Sequence, residues 1–433
     1  MRSEDPVRAA DLPSIQEGKE VEMHGWVEDQ RVLGSLLFMT LRDRTGVAQM
    51  VFNRSELGAA AFDEAATVPR QSYVLVSGRA KKSRSRTLPI EVSAGGMRVL
   101  GRAEHPLPLD PTGRVESGLD VRLDARPLDL RNPKVAAIFS IKASFLRACR
   151  GYLESRGFFE VHTPRLIGAA AEGGAELFRL GYFGREACLA QSPQLYKEQL
   201  TLSLERVYEI GPYFRAEKMH TTRHLNEFLS LDMEAAAFGK REAMEELEGM
   251  LKGALGRLAS ENAGDFGKLG VGAEVPDYDF PVVTYGRALE EANEGGVAVK
   301  FGEDLDAEAL KALARRHPGY YFLTDWPSDA KPFYIMPNER DPSLSESFDL
   351  MHGALELASG GERVSDRKAL EARLAAKGLD PAGFEEHLKA FDWGMPRHAG
   401  WGFGVDRLVM EVTGSANIRE AVLYPRDSVR LTP

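Results

Sequence analysis

Residues 20 to 104 carry their apolar side chains with a period of two, and from residue 132 the period becomes that of a helix. No other feature constrains the fold as much, because side chains alternate between the faces of a strand but return every three to four residues on a helix. Val21, Met23, Gly25 and Val27 alternate with Glu22, His24, Trp26 and Glu28. Residues 36 to 41 and 47 to 52 flank the polar stretch Arg42-Asp43-Arg44-Thr45-Gly46, a strand, turn and strand. Residues 56 to 66 suit a short helix, and 73 to 78 and 88 to 92 two further strands. Residues 105 to 131 are spaced by Pro106, Pro108, Pro111 and Pro127 and read as a hinge. Asn132 then suits an N-cap and Pro133 the first helical position. Val135, Ile138, Phe139, Ile141, Phe145, Leu146 and Leu153 follow on one helical face, and Gly157 closes it. Further helices are expected over 242–258, 305–315 and 366–377.

Five short strands with one helix fit a small Greek-key barrel of the OB type, which often binds single-stranded nucleic acid. The expected organisation is α+β: a barrel over 1–104, a hinge over 105–130 and a strand-and-helix domain over 131–433. A chain of 433 residues that is 43% hydrophobic and 28% charged is globular and buries a large core without staples. With Cys149 and Cys188 its only cysteines, a disulfide framework and a multi-cysteine zinc site are excluded, and a reducing, cytoplasmic setting is expected. The acidic start is no secretory signal, and no apolar run is long enough to span a membrane. The net charge of −10 gives no bulk attraction for nucleic acid, so such contact needs a local patch. The richest is Arg79, Lys81, Lys82, Arg84 and Arg86, whose plainer reading is a solvated hairpin loop.

Three clusters carry chemistry. Gly157-Phe158-Phe159-Glu160-Val161-His162-Thr163-Pro164 follows the long helix and alone is a cap, a strand and a stop. Tyr213-Phe214-Arg215-Ala216-Glu217-Lys218 and Arg223-His224-Leu225-Asn226-Glu227-Phe228 are two strands flanking a polar loop. Arg215 and Glu217 are expected on one strand face; the plain reading is an ion pair, but the neighbouring Lys218, His220, Arg223 and His224 point to an anion such as phosphate. Gly400-Trp401-Gly402-Phe403-Gly404-Val405-Asp406-Arg407 alternates glycines, which permits close approach of a backbone or flat ligand. Its spacing is not that of a dinucleotide fingerprint.

In order and spacing the three clusters resemble motifs 1, 2 and 3 of the class II aminoacyl-tRNA synthetases. Arg126-Pro127-Leu128-Asp129-Leu130-Arg131 and the barrel in front resemble the subgroup for aspartate, asparagine and lysine. Gln191-Ser192-Pro193-Gln194-Leu195-Tyr196-Lys197 and Glu356-Leu357-Ala358-Ser359-Gly360-Gly361-Glu362-Arg363 are similar to the aspartyl enzymes, of the short archaeal type. The fold this implies is an OB-fold β-barrel followed by an antiparallel sheet flanked by helices. The activity it implies is attachment of L-aspartate to tRNA(Asp), through an aspartyl-adenylate.

The resemblance also implies roles. Lys197 and Arg363 face the side-chain carboxylate of aspartate, which needs its charge answered once it leaves water. Arg215 grips the α-phosphate of ATP and the attacking carboxylate, and Arg407 lies by the adenine and meets the γ-phosphate. Arg223 and His224 contact the terminal phosphates, Glu217 accepts from the adenine amino group and Phe228 stacks on the ring. Asp349, Glu356 and Ser359 match the places that hold Mg²⁺. Gln194 and Asp232 lie near the α-ammonium, with Ser359 also by the amino acid, and Glu172 belongs to a loop that closes over it. In the barrel, Phe38 stacks on an anticodon base, and Arg31, Gln49 and Glu91 hydrogen-bond others. A homodimer is implied, with Pro164 near the two-fold contact. A tRNA-dependent amidotransferase is kept as a candidate further partner.

Three departures stand out. Glu362 replaces the family's usual glutamine and Arg397 its usual second proline before the histidine. Glu28 stands where strictly tRNA(Asp)-specific archaeal-type enzymes tend to carry tryptophan. With the compact length, Glu28 motivates the hypothesis that tRNA(Asn) is charged too. Two alternatives stay open here: a tRNA-independent asparagine synthetase on the same catalytic domain, and a non-catalytic tRNA-binding paralogue.

Overall fold

The computed structural model describes residues 6–85, 87–168 and 176–433. The chain forms two compact units, Met1–Asn132 and Pro133–Pro433.

The first unit is a closed barrel of β1 (Glu20–Leu33), β2 (Leu36–Asp43), β3 (Gly46–Asn53), β4 (Tyr73–Lys82) and β5 (Ile90–Gly101), in the order β1-β2-β3-β5-β4. The period-two pattern fills its interior: Val21, Met23, Val27, Leu37, Met39, Leu41, Met50, Phe52, Val74 and Val76 are all buried together. A register shift between Val27 and Asp29 bends β1, which lets one long strand pair with both β2 and β4 and close the barrel. The expected single helix over 56–66 is two, Arg54–Leu57 and Ala59–Thr67, broken where Gly58 adopts φ +87°. The proline-spaced stretch expected as a bare hinge carries helices Leu119–Asp124 and Arg126–Asp129, tied by Arg122 and Arg126 donating to Asp129 at 3.1 and 2.9 Å.

The second unit is built on β6 (Phe159–Glu160), β10 (Arg206–Phe214), β11 (Glu227–Ala236), β12 (Val282–Thr284), β13 (Tyr320–Thr324), β14 (Ser347–His352), β15 (Leu355–Glu362) and β16 (His398–Gly404), in the order β12-β13-β14-β15-β16-β11-β10-β6. It is antiparallel through its centre, as expected, with a parallel pair at each edge, β12 with β13 and β6 with β10. A small sheet of β7 (Leu166–Ile167), β9 (Arg185–Leu189) and β8 (Arg179–Tyr182) stands beside it in sequence. The helices Pro133–Ser155 and Lys240–Glu261 put Ile141, Phe145, Leu153, Leu247, Met250 and Leu251 into one core with Leu231, Met233, Trp401 and Phe403 of the sheet. Alternation then sends Ser230, Asp232 and Glu234 of β11, and Gly400, Gly402 and Gly404 of β16, to the opposite face. That face holds the chemistry.

Candidate active site

A cavity of about 300 Å³ opens on the face of the large sheet opposite the helices Pro133–Ser155 and Lys240–Glu261, and its wall includes Gln194, Arg215, Glu217, Arg223, His224, Phe228, Asp232, Glu356, Ser359, Arg363 and Arg407. Residues more than two hundred positions apart in sequence meet there because β10, β11, β14, β15 and β16 are neighbours in the sheet.

Two glycines make room. A Cβ on Gly400 would collide with the Met233 carbonyl and the Glu234 carboxylate, and one on Gly402 would lie 2.9 Å from Asp232 Oδ1. The alternate glycines of the third cluster therefore admit internal carboxylates as well as ligand. Lys197, on the helix Gln194–Leu204, lies just behind the wall, donating to Asp232 Oδ1 and to the Trp401 carbonyl, both at 3.1 Å. Arg363 donates in fork geometry to Glu234 at 2.9 and 3.2 Å, and Glu234 is also 3.5 Å from Lys197. The two cations expected to face one carboxylate are thus brought to a single place by two carboxylates of β11. Burial raises the Asp232 pKa, against the pull of Lys197 and the hydrogen bond from Ser230. Burial works against the Arg363 charge, and Glu234 more than restores it.

Behind Gln194, whose amide donates to Glu198 Oε1 at 2.6 Å, lies a buried Glu198 with His387 and His398 each 3.5 Å from its other oxygen. Burial alone would raise Glu198, yet the two imidazoles hold it well below the usual carboxylate range. Burial pushes His398 down, but Glu198 and Glu234 raise it overall.

Arg215 and Glu217 lie beyond the end of β10, so the expected shared strand face is not the reason they meet. The Asn226 side-chain amide instead donates to both the Arg215 and Glu217 carbonyls, at 2.7 and 2.8 Å, and folds the loop back. Their side chains approach to 4.0 Å, and the Arg215 guanidinium sits 5.4 Å from the Phe228 ring centroid. His224 shares a 2.6 Å hydrogen bond with Thr221, and burial with the nearby Arg407 lowers its pKa. Arg407 opens the helix Val405–Val412, next to Asp406, which accepts from the Leu229 amide and from Lys142. Arg407 itself donates to the Glu356 carbonyl at 3.0 Å and carboxylate at 3.3 Å.

Asp349 and Ser359 are cross-strand partners on β14 and β15, with Glu356 one turn of the pleat away opposite Met351. Among the described residues Asp349 Oδ1 is a buried oxygen without a hydrogen-bond partner of good geometry, and burial, reinforced by Glu356, raises the pKa despite Lys331 and the nearby Ser359 hydroxyl. An orphaned carboxylate oxygen beside a second carboxylate and a hydroxyl fits a hard cation such as Mg²⁺. Among the described residues no group of three or more His, Cys, Asp or Glu is placed for a metal, so water or substrate oxygens would complete the shell.

Reasoning from sequence missed Lys331, Glu234, Glu198 and Tyr334, which either line the cavity or hold residues that do. Glu234 stands two positions beyond Asp232, on the same strand face, and that spacing could have found it. Lys331 lies in the segment between β13 and β14 with nothing in its surroundings to mark it. Glu172 falls outside the described residues. The departures Glu362 and Arg397 prove to be partners: Arg397 forks onto Glu362 at 2.6 and 2.7 Å, beside Arg363 and His398 respectively.

On the barrel, Arg31 pairs with Phe38 across β1 and β2, Thr40 pairs with Gln49 across β2 and β3, and Gln49 donates to Glu91 of β5 at 2.8 Å. The four expected anticodon residues thus form one strip on the outer face, alternating with the buried Leu37, Met39 and Met50. Glu28 is ion-paired with Arg42 across β1 and β2.

Residues 118–428 match the family of class II tRNA synthetases (D, K and N), and residues 21–100 match the OB-fold nucleic acid binding domain. The chain is 44% identical to the aspartate–tRNA(Asp/Asn) ligase of Archaeoglobus fulgidus, over 99% of this chain and 100% of that protein. It is 41% identical to the aspartate–tRNA(Asp) ligase of Thermoplasma acidophilum, over 98% of each. Among solved structures, asparaginyl-tRNA synthetase from Pyrococcus horikoshii complexed with asparaginyl-adenylate is similar with a TM-score of 0.93 and 31% identity, each chain covered in full. The matched sequence, the barrel and the central antiparallel sheet with its arginine-bearing loop and glycine strand leave one assignment: this chain belongs to the class II aminoacyl-tRNA synthetases of the aspartate, lysine and asparagine group.

Proposed function

We propose that the protein attaches L-aspartate to tRNA(Asp) and tRNA(Asn), through an aspartyl-adenylate formed from ATP. The observation that carries the choice of amino acid is the convergence of Lys197 and Arg363 on one place behind the cavity wall, each held by a buried carboxylate. Beyond their carboxylate partners, an ammonium and a guanidinium set side by side attract the charged side chain of aspartate more strongly than the neutral amide of asparagine. The curated relatives named as aspartate ligases are also more similar in sequence than the asparaginyl enzyme whose fold is so close.

Both reactants of the first step are anions, so the work is alignment and neutralisation. Arg215 holds the α-phosphate against the attacking α-carboxylate, while Phe228 and Glu217 seat the adenine. Arg223, His224 and Arg407 take the terminal phosphates. Gln194 and Asp232 hold the α-ammonium; Asp232 can do so because Ser230 and Lys197 keep it oriented. Asp349, Glu356 and Ser359 would hold Mg²⁺, which supplies charge to the phosphates of ATP. In the second step the aspartyl group passes to the tRNA terminal adenosine. The strip of Arg31, Phe38, Gln49 and Glu91 reads the anticodon. This strip favours the tRNA ligase over a tRNA-independent asparagine synthetase, and the intact set Arg215, Arg407, Asp349 and Glu356 favours it over a non-catalytic paralogue.

The protein works as a homodimer in the cytoplasm, with Pro164 near the two-fold contact, and hands aspartyl-tRNA(Asn) to a tRNA-dependent amidotransferase. Among the described residues no helix is long and apolar enough to cross a membrane. Charging assays with both purified tRNAs test the reading. Aspartate-dependent pyrophosphate exchange and product on both tRNAs are expected; no product on tRNA(Asn) removes the second substrate, and exchange driven by asparagine instead removes the amino-acid assignment.

A further inference from the structure

Lys331 lines the cavity, and its carboxylate partner is one that the proposed mechanism claims for a metal. Its ammonium donates to Asp349 Oδ2 at 2.8 Å, and it lies 4.4 Å from the centroid of the Trp326 ring. It reaches the cavity wall from the segment between β13 and β14. Asp349, by contrast, is buried on β14, its backbone fixed between β13 and β15. The carboxylate cannot leave; the lysine, on a four-carbon stem, can.

A buried carboxylate without a cation is costly, so something must balance Asp349 before substrate arrives. Glu356, which is exposed, is paired with Arg407 at 3.3 Å. A divalent ion taking the open Oδ1 of Asp349 lies one carboxylate away from the Lys331 ammonium on Oδ2, and two cations that close repel. The Trp326 ring gives the displaced ammonium a second attractive surface close by.

We propose that Lys331 is a resident counterion of Asp349, displaced when a divalent metal enters, and that its freed ammonium then meets the negative charge of the nucleotide phosphates. The inference rests on the reading of Asp349 and Glu356 as metal-holding carboxylates. It makes Lys331 a gate on metal affinity: bare metal is held back, and metal arriving with phosphates is accepted because Lys331 gains a new partner.

Mn²⁺ binding to the full chain, followed by electron paramagnetic resonance with and without ATP, tests it. Lys331→Met should bind Mn²⁺ roughly tenfold tighter than the wild type without nucleotide, because one repelling charge is gone. Lys331→Arg should stay within about twofold of the wild type, since it keeps the charge. Pyrophosphate exchange by Lys331→Met should need roughly tenfold more ATP, through loss of the phosphate partner. Lys331→Gln serves the same comparison if the methionine variant does not fold. Unchanged or weaker Mn²⁺ binding by the neutral variant overturns the proposal even if activity falls, because a merely structural lysine would weaken both. If Asp349→Asn binds Mn²⁺ as the wild type does, the metal reading fails and the counterion role fails with it.

Discussion

Five candidate cations around the cavity face a carboxylate: Lys197 with Asp232, Arg363 with Glu234, Lys331 with Asp349, Arg407 with Glu356 and Arg215 with Glu217. In the three buried pairs, those of Lys197, Arg363 and Lys331, removing one member does more than delete a contact, because it strands its partner away from water. Lys197→Met and Arg363→Met should each cost roughly 3 kcal/mol or more in kcat/KM for aspartate, read by pyrophosphate exchange. Equal exchange by wild type and variants would remove both from the pocket's chemistry. The Arg397–Glu362 fork makes a different prediction. Arg397→Pro alone strands a half-covered Glu362, whereas Arg397→Pro with Glu362→Gln removes both ends together. A double-mutant cycle on thermal unfolding should show a coupling of about 0.5–1 kcal/mol, and additive effects would mean the two departures are unrelated.

The buried Glu198 cluster sets a pH dependence at the same scale. Glu198 titrates below its ordinary value, so its contribution is present above about pH 4.5 and is lost as pH falls through the depressed value. His398 titrates above its ordinary value, so its contribution is full below about pH 6.5 and is lost as pH rises through the raised one. Stability from this cluster is greatest between those limits. His398→Gln should flatten the loss of stability above pH 6.5, measured by denaturant unfolding at a series of pH values; an unchanged alkaline slope would show that His398 does not titrate with folding.

At the scale of elements, β16 illustrates how a pattern can be read and its reason missed. Its alternate glycines were legible, and close approach was the expected meaning. That the approaching groups are the carboxylates of Glu234 and Asp232 follows only from the pairing of β16 with β11. Gly400→Ala should cost roughly 1–3 kcal/mol of stability and raise the KM for aspartate, since Glu234 must shift and Arg363 with it. A variant with the wild-type melting temperature and KM would show the strand tolerates the methyl group. The loop after β10 teaches the opposite lesson. Arg215 and Glu217 were paired by a strand argument, but the strand ends at Phe214 and Asn226 makes the pairing. A side chain bonding two backbone carbonyls leaves no periodic trace in sequence.

At the scale of the molecule, the chain divides into a barrel unit and a catalytic unit, and its −10 charge leaves tRNA recognition to local surfaces. Phe38→Ala should weaken tRNA binding by about 1–3 kcal/mol and leave aspartate-dependent pyrophosphate exchange as in the wild type. A loss of exchange would show that the barrel strip is not a dedicated tRNA surface. Sedimentation at micromolar concentration should give a dimer mass, and a monomer would refute the two-fold assembly.

Sequence alone determined the barrel, the long helix and their order, because periodicity and caps are local properties of the chain; the antiparallel sheet and the candidate site residues came from the resemblance of three motifs to class II synthetases. It also marked Lys197 and Arg363, through short stretches whose order and spacing carry their own signature. Tertiary structure decided which charges answer which. Glu234, Glu198 with its two histidines, Lys331 and the Arg397–Glu362 fork act through partners far away in sequence, and such partners meet only when the tertiary fold places them side by side. Electrostatic balance depends on distance and burial in space, and a linear sequence records neither.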